Sequence, residues 1–537
     1  MTTFDEHFDY VIAGGGTAGC VLAARLSEDP KVRVLLLEAG PPPRSLWIRM
    51  PAGMGRLFVN QRYNWGFETE AEPQLGGRTL YWPQGKTLGG SSAINGMAFV
   101  RGHHEDYDNW RDAGAEGWGW EAVRPYFQRL ESRSGGNGRG ASGPLSVSDP
   151  VYVHESTLAF REAACNVGLL SNPDYNGAVQ EGVSLLQFTI RNGKRHSAAD
   201  AYLKPALNRP NLTVRTDAAV RTIRFANGRA TGVAYCHAGI ECEASAVGEV
   251  ILSSGAIGSP HILLSSGIGD GQALQALGIN VVAHLPGVGE NLIDHPYVHM
   301  TFGVRKGASL NAMLRGWRVY AQGARWLLAR SGPLTIGASQ AVAFVRSGVQ
   351  AERPDLQINF RPISHGFDSA GRLGPDTVPR VTAAICALRP SSRGRVWLRS
   401  PLPESRPAMI GRYLTERSDE DALIAGVEWA RRIFTADPMK SIVVSEDKPG
   451  TATAGREAIG QFVRETVQTM CHPVGTCRMG TGSMAVVDER LRVRGVKGLR
   501  VVDSSIMPDI VSGNTVAATY MIAEKGADII RADRTER

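Results

Sequence analysis

The chain of 537 residues contains no run of 18 or more apolar residues, so no segment of it is expected to span a bilayer. Its opening, Met1-Thr-Thr-Phe-Asp-Glu-His7, lacks the positive charge with which a signal peptide begins. Cysteine is sparse and odd in number, seven in all, which argues against a disulfide framework and fits reduced thiols in the cytoplasm. Cys236 and Cys242 stand close together but have no second ligand pair at a usable spacing, so no metal site is expected. Dense lysine or arginine runs are missing as well. The net charge of +7 comes from 59 basic and 52 acidic residues, and no nucleic-acid motif accompanies it. No internal repeat is evident. With 43% hydrophobic and 21% charged residues, the composition excludes wholesale disorder. A folded cytoplasmic protein is expected, and peripheral attachment to an inner membrane stays open.

Glycine is in excess, with 62 residues where average usage of about 7% would give about 38. The glycines follow no three-residue period, which excludes collagen, and they are not gathered in a Gly/Ser linker. Many must sit where a side chain cannot be tolerated. The first forty residues show one such place. Asp9–Ala13 reads as a buried strand, Ala18–Leu26 as a helix and Val32–Leu37 as a second strand, and this crossover implies a parallel sheet. Between strand and helix, Gly14-Gly-Gly16-Thr17-Ala18-Gly19 is G-x-G-x-x-G. Its first glycine permits a tight turn, its second lets backbone approach a pyrophosphate, and its third allows close helix–strand packing. The pyrophosphate would rest on the helix N-terminus. Glu38 ends the second strand, where its carboxylate can accept from ribose hydroxyls. This fingerprint alone does not separate FAD from NAD.

Residues 40–84 are rich in Pro, Gly and aromatics and read as a surface excursion, in which 46–54 is a packing segment or an access flap. Residues 132–145 are the most linker-like. Strand patterns return at 212–216 and 249–253. The region 300–460 has a different texture, with a helix near 311–331 and strands at 356–360 and 395–399. A strand at 499–502 and a helix from about Thr515 to Ile530 close the chain. Two interleaved domains are expected. Residues 1–155, 200–300 and 465–537 form the nucleotide-binding one, and 156–199 with 301–464 form the substrate-binding one.

Three segments carry a family resemblance. Gly85-Lys-Thr-Leu-Gly-Gly-Ser-Ser-Ala-Ile-Asn-Gly96 resembles the first signature of the glucose–methanol–choline (GMC) oxidoreductases. Gly255-Ala-Ile-Gly-Ser-Pro-His-Ile-Leu-Leu-Ser-Ser-Gly-Ile-Gly269 resembles the second. His472-Pro-Val-Gly-Thr-Cys-Arg-Met-Gly480, with Val502–Pro508 and Gly513-Asn-Thr515, is similar to the C-terminal active-site region. The resemblance runs from Asp9 to about Ile530 and is strongest to the bacterial alcohol and choline dehydrogenase branch. It implies an α/β fold: a Rossmann-like FAD-binding domain of the p-hydroxybenzoate hydroxylase type, with an interleaved α+β substrate domain on a mixed or antiparallel sheet. By this resemblance Gly14, Gly16, Thr17, Ala18, Gly19 and Glu38 take the ADP half of FAD. Gly89, Asn95, Gly96, Met97 and Ala98 lie along the pyrophosphate and isoalloxazine. Val220 meets adenine through its backbone, while Asp503, Asn514 and Thr515 meet the ribityl and pyrimidine side. Some family members bind FAD covalently through a histidine. Ile94 stands at that position, so non-covalent FAD is expected.

His472 matches the family's catalytic histidine, and an unperturbed pKa of about 6.5 suits a base for an alcohol hydroxyl. Asn514 matches its partner, where an amide can hold the alkoxide oxygen; capping the following helix is its structural alternative. Cys471 is expected to line the pocket. An aromatic residue near that position in choline-oxidising relatives can cage a trimethylammonium group; without it choline is a poorer fit, although Trp65 or Phe360 could contribute. The resemblance implies oxidation of a primary alcohol, with electrons passing to a quinone or another acceptor. Alternatives are an alcohol oxidase that reduces O2 to H2O2 near Gly96 and Met470, a choline dehydrogenase, and a hydroxynitrile lyase whose FAD does not cycle.

Overall fold

The computed structural model describes residues 7–133, 135, 138–337, 339–348, 350–367 and 373–535. The expected β-α-β unit is present as β1 (His7–Ala13), α1 (Thr17–Leu26) and β2 (Val34–Leu37). Val32 belongs to the preceding turn, where its N–H donates to the Asp29 carbonyl. Both strands are buried almost throughout, as strands covered on both faces must be. They belong to a seven-stranded sheet with β3 (Leu212–Arg215), β4 (Ala218–Ala226), β5 (Arg229–His237) and β6 (Ile240–Leu252), in the order β3-β2-β1-β6-β5-β4. The short strand Leu499–Val501 adds to β6. β3, β2, β1 and the end of β6 run parallel, whereas β6, β5 and β4 form an antiparallel meander. The C-terminal ends of the parallel strands deliver the first glycine loop, Glu38 and Ser253 to one edge, where ligands of such sheets bind.

A second, antiparallel sheet is made of β7 (Pro296–Val304), β8 (Ala341–Val345), β9 (Leu356–Arg361), β10 (Arg380–Ala387) and β11 (Val443–Lys448), with Gly182–Leu185 at one edge. Its order is β11-β7-β10-β9-β8, and Gln468–Thr469 pairs with the start of β7. The chain thus crosses to this sheet at Pro296, before residue 300. Alternation along the strands gives the sheet two different faces. Val298, Met300, Ile358, Phe360 and Ile385 pack on one side against the long helix Arg417–Phe434. Tyr297, His299, Gln357, Asn359 and Arg361 lie on the other and face the first domain.

One expectation changes and one is met. Residues 132–145 are no free linker, although Ser134, Gly136 and Asn137 lie outside the described residues. Arg139 is buried and donates to Glu131 and Asp174, each at 2.7 Å, while Arg101 donates to Glu131 at 2.6 Å. Gly140 lies against the backbone of Gln128 so closely that a Cβ would sit 1.8 Å from its carbonyl oxygen. Small residues serve close approach there, not slack. Residues 46–54 pack into the body, with Ile48 and Met50 buried, and Met54 lines the cavity described next.

Candidate active site

A cavity of ≈ 430 Å³ runs along the edge of the first sheet and under the polar face of the second. Three helix N-termini line it: α1, α2 (Gly255–Ser265) and α3 (Val516–Thr535). Gly16 begins α1 with no side chain capping it, and Gly16, Thr17 and Ala18 all face the cavity. Uncapped N–H groups and the positive end of the helix dipole make this a site for an anion. A Cβ on Gly16 would come no nearer than 3.7 Å to any protein atom, so the space above it is open. Gly19 does not line the cavity; a Cβ there would lie 1.9 Å from the Gly14 carbonyl oxygen, so it serves helix–strand packing. Gly89, at φ +91°, also stands behind the wall, its N–H donating to the Gly15 carbonyl at 2.8 Å.

Glu38 accepts from the N–H groups of Gly15 at 2.9 Å and Gly40 at 2.8 Å. Burial nevertheless pushes its carboxyl up to about 7, against the pull of these bonds and of Lys86. Ribose hydroxyls donating to its remaining lone pairs would favour the ionised form. Val220, Asn95, Gly96, Met97 and Ala98 line the cavity together with Ile94, Trp65 and Met470. Asp503 and Thr515 line it too, but the Asp503 carboxylate is engaged by the Gly255 N–H at 2.8 Å, the Ser259 hydroxyl at 2.5 Å and the Ser505 N–H at 2.8 Å. Asp503 thereby holds the start of α2. An uncapped helix N-terminus, an open glycine and an under-satisfied carboxylate at the next strand end fit the pyrophosphate and ribose of a dinucleotide.

At the other end of the cavity His472 meets Asn514. The Asn514 Nδ2 donates to His472 Nε2 at 3.0 Å, and Gln357 Nε2 lies 3.4 Å from Asn514 Oδ1. The amide is therefore spent on His472 and not on capping; α3 starts beyond it, with the Thr515 carbonyl accepting the first helical bond from Thr519. Behind His472 stands His295, whose Nδ1 lies 3.0 Å from His472 Nδ1 and whose Nε2 lies 3.0 Å from the Leu388 carbonyl oxygen. A carbonyl only accepts, so the 3.0 Å approach of Leu388 assigns the His295 proton to Nε2 and makes Nδ1 an acceptor; the Val511 carbonyl also lies at this ring. His472 must then carry its proton on Nδ1, which leaves Nε2 bare and turned to Asn514. Burial, aided by His295, holds His472 well below the usual histidine range, and burial brings His295 down to about 4. Both rings stay neutral at physiological pH. Asp294 accepts from the His472 backbone N–H at 2.6 Å, the Tyr413 hydroxyl at 2.6 Å and the Thr469 hydroxyl at 2.5 Å, which locks the base in place.

Cys471 lines the cavity at φ +62°, a backbone state uncommon for a side chain of this kind and typical of functional loops. Phe360 is fully buried against Phe160 and Phe434 on the far face of its sheet and does not reach the cavity, whereas Trp65 does. Cys236 and Cys242 lie on neighbouring strands away from the cavity. Among the described residues no group of three His, Cys, Asp or Glu is placed to hold a metal, and no helix is long and apolar enough to cross a membrane. Asp294, His295 and Gln357 were not anticipated. One signal pointed to His295: of twelve histidines, only His295 and His472 precede a proline, which restricts the backbone before it.

The family model described as GMC oxidoreductase matches residues 8–297, and its C-terminal counterpart matches 390–523. The chain is 40% identical to the alcohol dehydrogenase (acceptor) of Pseudomonas putida, over 97% of this chain and 95% of that protein. It is 42% identical to the mitochondrial choline dehydrogenase of Homo sapiens, over 98% and 90%. Among solved structures, a variant of Aspergillus oryzae RIB40 formate oxidase examined for modification of its FAD superposes with a TM-score of 0.92 at 28% identity, covering 99% of both chains.

Gly16→Ala separates folding from cofactor binding. Its Cβ meets no protein atom closely, so thermal stability of the cofactor-free protein should be unchanged. The Kd for FAD, followed by fluorescence quenching, should rise at least about tenfold, or ~1.4 kcal/mol. Unaltered FAD affinity would remove the glycine loop from the binding site.

Proposed function

The chain belongs to the GMC oxidoreductase family, and from that premise we propose that it oxidises a primary alcohol to an aldehyde, with His472 as the base. FAD is its cofactor, and when bound it supplies the two-electron acceptor for the hydride that leaves the carbinol carbon. The observation that carries the reading is the bare Nε2 of His472, 3.0 Å from an amide N–H of Asn514. An alcohol oxygen that displaces the Asn514–His472 hydrogen bond donates its proton to His472 Nε2 and accepts from Asn514 Nδ2. The forming alkoxide keeps that amide hydrogen bond as its charge develops. Depressed basicity keeps the base free of a proton before the substrate arrives. Ile94, in place of a nucleophilic side chain, supports FAD held without a covalent bond. The similarity to alcohol and choline dehydrogenases favours redox chemistry over the lyase reading.

A membrane quinone is supported as acceptor by the helix Gly316–Ala329. Trp317, Tyr320, Leu327 and Leu328 fall on one stripe of it and are exposed, Trp317 at 74% and Leu328 at 88%. Residues 295–351 contain no Asp or Glu and seven Arg or Lys, equal to the net charge of the whole chain. Apolar and aromatic side chains amid arginines suit the interface of an anionic lipid surface. The same helix packs through Trp326 against Met50, four residues before Met54, which lines the cavity. An oxidase needs no such surface.

Two measurements test these readings. Anaerobic mixing of the holoenzyme with a panel of primary alcohols should bleach the flavin, and His472→Ala should slow that reduction by about 10²–10⁴-fold while FAD stays bound. An unchanged rate would take His472 out of the chemistry. The holoenzyme should float with phosphatidylglycerol vesicles and not with phosphatidylcholine vesicles. The double substitution Trp317→Ser, Leu328→Ser should weaken flotation at least about tenfold, whereas equal recovery with both lipids, or with neither, removes the membrane from the account.

A further inference from the structure

The polar face of the second sheet carries a cation, Arg361, that no carboxylate among the described residues neutralises. Three rows cross β7, β10 and β9: Tyr297–Cys386–Gln357, His299–Ala384–Asn359 and Thr301–Thr382–Arg361. The first row ends at the catalytic pair, through the 3.4 Å approach of Gln357 to Asn514. Asn359 follows it, its Oδ1 3.0 Å from Gln357 Nε2, and Arg361 follows Asn359. Tyr297, Ser339, Asn359 and Arg361 all line the cavity.

Arg361 has protein on every side except the cavity. Its Nη1 donates to His299 Nε2 at 3.0 Å and its Nε to Ser339 Oγ at 3.3 Å, both neutral acceptors. Nη2 has no acceptor among the described residues, and no carboxylate among them lies within ion-pair distance of the guanidinium. The other groups around it are Tyr297, His365 and, beyond His299, Lys448. Asp376, beside His365, is engaged by Ser364 at 2.5 Å and by Arg380 at 3.7 Å. Burial pulls the Arg361 guanidinium down from its usual range, and its charge in turn helps hold His299 and His365 neutral. The buried arginines Arg101, Arg139, Arg353 and Arg500 each pair with one or two carboxylates, whereas buried Arg195, away from the cavity lining, donates to the carbonyls of Ile48 and Ser92 and to Asn95. An unpaired charge in such a place is costly, and a guanidinium fork is matched by a carboxylate.

We propose that Arg361 anchors a carboxylate carried by the alcohol substrate, so that the enzyme acts on hydroxycarboxylates; the inference rests on the alcohol-oxidising reading of His472 and Asn514. Reaching back to His299, the guanidinium stands about one row from Gln357, and two residues along a strand span about 6.7 Å. A carboxylate at Arg361 and a hydroxyl at His472 therefore belong to one molecule with a short apolar spacer. The same charge repels a trimethylammonium group, which sets this site against choline.

The test uses the holoenzyme in two arms. In the first, non-oxidisable alkyl carboxylates of graded length are titrated against the flavin absorbance, beside their neutral amides. Carboxylates should perturb the spectrum and amides should not, and Arg361→Met should weaken carboxylate binding about 30-fold or more. Absence of carboxylate binding to the unsubstituted protein, or equal binding of amide and carboxylate, overturns the proposal, and neither result requires that the variant fold. In the second arm, ω-hydroxycarboxylates should reduce the flavin with a higher kcat/KM than their amides. Arg361→Met should raise KM far more than it lowers kcat and bring that ratio towards one. Reduction by neutral alcohols with no advantage for hydroxycarboxylates overturns the anchor and keeps the alcohol reading. Carboxylate binding without flavin reduction by any alcohol upholds the anchor and defeats that reading.

Discussion

The carbonyl oxygen of Leu388 sets the protonation pattern of the whole reactive end of the cavity. It accepts from His295 Nε2, which makes His295 Nδ1 an acceptor, which places the His472 proton on Nδ1 and leaves Nε2 bare. Among the described residues no carboxylate touches either ring, in contrast to sites where an acid orients the base. The nearest one, Asp294, is used on the backbone instead. It binds the His472 N–H, and burial pushes its carboxyl up to about 6 despite four hydrogen bonds that favour its charge. Position and tautomer are thus controlled by separate groups. Both lie around the start of β7, where the two sheets meet, so assembly of the base depends on correct docking of the second sheet on the first.

The first domain solves a different problem with the same economy of charge. Anionic phosphate is met by backbone at an uncapped helix start, and Glu38 is set to receive ribose. Arg361 adds a positive charge on the second sheet, while Arg221, beside Val220 on the first, and Arg406 also line the cavity.

The local grammar of the cofactor half was legible because each of its requirements is local. The tight turn, the close approach at Gly14 and Gly19, and the acid at the next strand end all fall within one β-α-β unit. His472 and Asn514 were legible through the family signatures. His295, Asp294 and the Leu388 carbonyl were not, because they come from strands whose pairing with the C-terminal region is a long-range fact, and a carbonyl has no side chain to read. Alternation placed Phe360 and Arg361 on opposite faces of β9, but which face met the cavity depended on the helix packed behind it. So Phe360, expected to help line the pocket, is core, and Arg361 is the residue that does line it. The excess of glycine pointed to close approach in general, yet at 132–145 composition alone read as a linker where burial and ion pairs hold the chain.

The central claim, that a backbone carbonyl fixes a bare Nε2 on His472, is most directly tested by ¹⁵N NMR of histidine-labelled holoenzyme near pH 7, with His472→Gln assigning the signal. The expected spectrum is that of a neutral His472 ring protonated at Nδ1 and unprotonated at Nε2. An imidazolium at that pH, or a neutral ring with its proton on Nε2, would contradict it.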